Sequence, residues 1–91
     1  MENNIKKLLE EALSEDRATS TNAARSLIKM AEKGNFDAID ALFSCLGCGA
    51  KHMEDTRYMC RRGLEQTAAN NEKVREYIIN TLVKLLDSNN E

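Results

Sequence analysis

Apolar side chains recur along this chain at the three- and four-residue spacing of helix faces, in five stretches separated by polar or glycine-containing breaks. The clearest pair lies between Asn22 and Leu46. Ala23, Leu27 and Ala31 return once per helical turn with Ile28 beside them, Gly34 stops that helix, and Phe36, Ile39, Phe43 and Leu46 mark the apolar side of the next. The break between them is short, so the two read as a helical hairpin. Asn35 is placed to cap the second helix and Asp37 to meet the positive end of its dipole. Ala38, Leu42 and Cys45 add a second apolar line to that helix, leaving Asp37, Asp40, Ala41 and Ser44 for water.

The same reading extends to both ends. Ile5, Leu8, Leu9, Ala12 and Leu13 form the inner face of a first helix with Asn3 or Asn4 as its cap. The stretch Ser14 to Asn22 has no long apolar side chain and several capping residues, which predicts a linking turn and a second helix that starts after Ser20, Thr21 or Asn22. After the third helix, Gly47 and Gly49 break the pattern and predict a loop through about residue 53. A fourth helix, from about Glu54 to Ala69, turns small side chains inward: Thr56, Cys60, Gly63, Leu64, Thr67 and Ala68. Such a face admits a neighbouring backbone, which accounts for a glycine inside a helix despite a cost of about 1 kcal/mol relative to alanine. Asn70 or Asn71 then divides it from a fifth helix, Glu72 to about Asp87, carrying Val74, Tyr77, Ile78, Ile79, Leu82, Val83, Leu85 and Leu86.

Composition agrees with this vocabulary and narrows the setting. The 91 residues hold one small domain, with 42% hydrophobic and 31% charged residues and no proline. A net charge of -2 supplies no general attraction to nucleic acid or to an anionic membrane. The charged N-terminus is neither a secretory signal nor a membrane span, and three cysteines cannot all pair within one chain. These features predict a cytoplasmic protein with reduced thiols.

Compared with itself at a shift of 37, the chain places Ala23 on Cys60, Ser26 on Gly63, Leu27 on Leu64 and Ala31 on Ala68, with the following turns coinciding. Thr56-Arg57-Tyr58-Met59-Cys60-Arg61-Arg62-Gly63-Leu64 is similar to the Val-Arg-x-x-Ala-Ala-x-Ala-Leu helix of short bacterial HEAT-like repeats, a family of the HEAT and armadillo type. It keeps the Arg, two of three small positions and the Leu, while the upstream unit has Ser20 in place of the Arg. The resemblance covers roughly residues 20–87. It implies an all-α fold of antiparallel hairpins stacked as two repeats, 20–48 and 53–88, with residues 1–19 as a capping helix and turn. It also implies a non-catalytic scaffold or adaptor whose partner is another protein or a second copy. In the family the second helix of each pair lines the concave side, which assigns Asp37, Asp40 and Ser44, with Arg75, Glu76 and Asn80, to the partner-binding surface. Two pairs fall short of the three repeats usually needed for stability, so the open end of the stack needs a cap, a dimer or a partner.

Two clusters carry candidate chemistry. Cys45-Leu46-Gly47-Cys48, followed by His52 and Cys60, supplies the thiolates and imidazole of a Cys3His zinc site, the alternative to the scaffold reading. A second knuckle is missing, and small buried cysteines of a helix face are the plainer account. Arg57, Arg61 and Arg62 with Tyr58 form a basic patch fit for phosphate and base stacking, the third reading, with Glu54, Asp55 and Glu65 nearby to neutralise it. His52 is the single histidine, with no second one to serve a nucleophile, so the sequence predicts no enzyme and no required cofactor.

Overall fold

A computed structural model describes residues 3–47 and 54–89, the last three by backbone alone. Among these there are five helices and no strand: α1 (Asn3–Ala12), α2 (Arg17–Glu32), α3 (Phe36–Leu46), α4 (Glu54–Asn70) and α5 (Glu72–Asn89). The chain is all-α. α2 lies at the centre, packed against α1, α3 and α4, while α3 also touches α1 and α4, and α5 rests chiefly on α4.

The helix boundaries follow from local chemistry. At the end of α2 the amide of Asn35 donates to the Met30 carbonyl and that of Gly34 to the Ala31 carbonyl, the paired bonds that close a helix on a left-handed residue. Gly34 takes that conformation, with φ 92°, where a side chain would be strained. Asn35 then opens α3 by accepting from the Ala38 amide, and Asn71 opens α5 in the same way with Val74.

α2 begins earlier than the sequence predicts, at Arg17 rather than after Ser20, Thr21 or Asn22. Asp16 is the reason: its carboxylate accepts from both the amide and the hydroxyl of Thr19, so a polar stretch still starts a helix. These bonds hold the Asp16 carboxyl below its ordinary range. The extra turn buries Ser20, whose hydroxyl donates to the Ala12 carbonyl at the end of α1 (2.6 Å) and meets the Thr56 hydroxyl at the start of α4 (2.5 Å). With the Ser20 proton on Ala12, Thr56 is the donor of the second bond. A carbonyl left over at a helix end is thereby satisfied inside the protein.

The core is built from Ile5, Leu27, Ile39, Leu42 and Val74 with smaller residues between them. Ala41, expected at the surface, is fully buried, in a helix that has α1 as a neighbour as well as α2 and α4. Leu13, expected on the inner face of the first helix, lies past the end of α1 and is 40% exposed. Gly63 is buried, but what fills the space beside it is the Ile28 side chain of α2 rather than a backbone.

Candidate functional site

α5 is only half covered. Val74 and Ile78 are buried and Tyr77 half-buried, whereas Ile79, Leu82, Val83, Leu85 and Leu86 stand between 46% and 62% exposed. Ile79, Leu82 and Leu86, three and four positions apart, line one flank of the helix. Among the described residues these five make up the main run of exposed large apolar side chains, since the others, Leu13, Phe36 and Tyr58, are scattered. The periodicity of residues 74–86 shows an amphipathic helix but not which part of a wide apolar face finds a neighbour. Among the described residues no element covers the outer flank of α5, so the flank stands exposed.

Beside that flank runs an apolar groove of about 280 Å³, lined by Phe43 and Leu46 of α3, Leu64 and Ala68 of α4, and Ile78 and Leu82 of α5. Arg61 and Glu65 of α4 stand at its edge as an i,i+4 ion pair at 3.9 Å, both more than half exposed. The groove and the flank share Leu82 and form one continuous apolar surface.

The expected partner-binding residues are placed as follows. Ser44, Arg75, Glu76 and Asn80 are exposed, and Asp37 and Asp40 half-buried. Asp40 accepts a 2.7 Å hydrogen bond from the Tyr77 hydroxyl, and the Tyr77 ring stacks on Phe36 with centroids 4.4 Å apart and planes 9° from parallel. That contact ties α5 to α3. The bond to Asp40, then desolvation and the charges of Asp40 and Asp37, push the Tyr77 phenol up to about 12. Arg75 lies two positions from Tyr77, roughly 200° around the helix, and so stands on the apolar flank, one turn before Ile79.

In the basic patch, Arg57 is half-buried, and Tyr58, Arg61 and Arg62 are exposed. The Arg61 guanidinium sits 5.4 Å over the Tyr58 ring, in addition to its pairing with Glu65. Leu46, Glu54, Arg57, Tyr58 and Arg61 surround an open depression of about 340 Å³. Asp55, expected as a neutralising neighbour of these arginines, instead pairs with Arg17 at the start of α2, at 2.8 Å. The patch is thus partly neutralised from within.

Of the four residues of the possible zinc site, Cys45 and Cys60 are fully buried and lie side by side as free thiols, while Cys48 and His52 fall outside the described residues. The hydrogen bond between the two thiols raises Cys60 strongly, and burial and the nearby Cys45 sulfur add to it. The same bond favours the Cys45 thiolate, against burial, so Cys45 is the first of the pair to lose a proton. No group of three or more metal-ligating side chains occurs among the described residues, and no helix there is long and apolar enough to cross a membrane. No family model, curated protein or solved structure matches this chain.

Proposed function

We propose that this chain is a non-catalytic helical scaffold or adaptor of HEAT-like hairpins that binds another protein chain through the outer flank of α5 and the groove beside it. One observation carries the reading: five large apolar side chains left half in water on one helix, continuous with an apolar groove. Contiguous apolar surface of this kind is costly to leave bare and marks a place where another surface docks. Arg75 belongs to the same flank and Glu76 and Asn80 lie beside it on α5, while Asp37, Asp40 and Ser44 stand on α3, with Asp40 bonded to Tyr77 on the opposite side of α5 from Arg75.

The test compares what the immobilised protein captures with and without Leu82→Glu, alongside Asp40→Lys and Arg75→Glu. Loss of capture with Leu82→Glu supports the flank. Capture that survives all three substitutions refutes the surface assignment.

A second reading, a zinc domain using Cys45, Cys48, His52 and Cys60, draws support from the adjacency of Cys45 and Cys60. Elemental analysis of protein purified without a chelating tag decides it. Less than about a tenth of an equivalent of metal removes this reading, since a structural zinc is held tightly enough to survive purification.

A further inference from the structure

Three properties of the α5 flank and its groove bear on what covers them. The first is size. At about 280 Å³ the groove lies below the roughly 300–1,000 Å³ of small-ligand pockets, and it is open and apolar, so it suits one or two aliphatic side chains. The second is that the same surface carries both halves of a fit. Phe43, Leu46, Leu64 and Ala68 make the socket, and Ile79, Val83 and Leu86, which share the outer side of α5 at helical spacing, make an apolar ridge. The third is charge. The edges of the surface carry Arg61 and Glu65 on α4 and Glu72, Arg75 and Glu76 on α5, both signs interleaved, so it presents no strong field that would select a highly charged partner.

From these properties we infer that the occupant is a second copy of this chain, joined about a two-fold axis so that the α5 ridge of each copy fills the socket of the other. This rests on the reading of α5 as a binding surface. In a two-fold contact every residue pairing occurs twice, so a surface holding both ridge and socket gains two fillings from one arrangement. A rim of mixed sign lets like meet like, since arginines of one copy have glutamates of the other within their choice of partners. An α5 of 18 residues is about 27 Å long, and with the groove it offers on the order of 500 Å² in projection. That lies toward the small end of specific interfaces, so a dimer of micromolar rather than nanomolar strength is expected.

Sedimentation equilibrium or light scattering on the whole chain, from about 5 to 500 µM, tests this over the range where such a dimer forms. The mass is expected to rise from 10.2 kDa toward twice that value with concentration. Leu82→Glu and, separately, Leu86→Arg should each weaken association at least about tenfold, as loss of one buried apolar anchor does. Both side chains are already half exposed, so helical content and melting temperature should persist, and circular dichroism checks this. Hydrogen exchange of the unaltered protein gives a readout without substitution: amides of residues 78–86 should be slower at high than at low concentration. A chain that stays at 10.2 kDa throughout overturns the second copy, and the binding reading then rests on the capture experiment alone. A dimer insensitive to both substitutions, or protected only elsewhere, overturns α5 as the contact and with it the proposed binding surface.

Discussion

Gly63→Ala isolates the contact between α2 and α4. In an exposed helix this change stabilises by about 1 kcal/mol, because glycine loses more backbone freedom on folding. Here a methyl at Gly63 would sit 2.5 Å from Cγ1, 2.7 Å from Cδ1 and 3.1 Å from Cγ2 of Ile28. Carbon atoms in contact prefer about 3.5–4.0 Å, so the overlap is near 1 Å. Rotation of Ile28 gives little relief: Cγ1 and Cγ2 both branch from Cβ, and in a helix isoleucine keeps one χ1 well in about 90% of cases. α2 and α4 must then move apart, and overpacking of this sort costs about 1–3 kcal/mol. Set against the propensity gain, the net expectation is a loss of about 1 kcal/mol, which for a chain of this length lowers the melting temperature by about 4–8 °C. Thermal and urea unfolding followed by circular dichroism measure it. Ile28→Ala in the same chain should remove the clash, making the double variant more stable than the sum of the single changes by about 1 kcal/mol. An unchanged or raised melting temperature for Gly63→Ala, or additive effects in the cycle, would refute the packing argument.

Ser20→Ala strands the Ala12 carbonyl and the Thr56 hydroxyl, at about 1–3 kcal/mol for each buried group left unpaired, and should cost more than Thr56→Val, which leaves the Ser20 to Ala12 bond in place. Urea titration of both variants checks the order. Tyr77→Phe keeps the stack on Phe36 but loses the bond to Asp40, at about 1 kcal/mol for a half-exposed contact with a carboxylate. Because folding raises the Tyr77 phenol to about 12, its contribution is complete below the ordinary phenol range and fades as pH climbs from there through about 12. The stability gap between the parent and Tyr77→Phe should close across that window, and a gap that is constant with pH would contradict the assignment. Cys45 and Cys60 should resist iodoacetamide in the folded chain and react once it is unfolded, as peptide mapping would show. Labelling of either at its denatured rate would mean the pair is not enclosed.

Local signals proved most legible where a single residue type decides the backbone. Gly34, Asn35 and Asn71 marked their boundaries because a left-handed turn and a side-chain acceptor at a helix start have few substitutes. The small inner face of α4 was visible for a similar reason, since Thr56, Cys60, Gly63 and Thr67 share one side at helical spacing. The start of α2 was hidden because Asp16, Thr19 and Ser20 serve a helix start and a loop equally well. Only the distant positions of Ala12 and Thr56 make Ser20 an inside residue. Ala41 and Leu13 depended on where α1 lies, and an amphipathic pattern does not say which neighbour arrives. For the site the gap was wider. Apolar periodicity in α5 was plain, yet Ile79, Leu82, Val83, Leu85 and Leu86 look the same in sequence whether a helix covers them or water does. The tie between Asp40 and Tyr77 spans 37 positions and leaves no local trace.

The buried hydroxyl of Ser20 has a consequence for how much of the chain can be removed. Alanines and leucines tolerate sliding past one another, because greasy contact has no direction, whereas a hydroxyl held between a carbonyl and a second hydroxyl accepts one alignment. Its two partners sit 8 residues before it and 36 after it, on helices that share no boundary. Trimming α1 would therefore do more than uncover oil at one edge: it would take away the atom that holds the Ser20 proton, and the disturbance would surface at the head of α4, far along the chain.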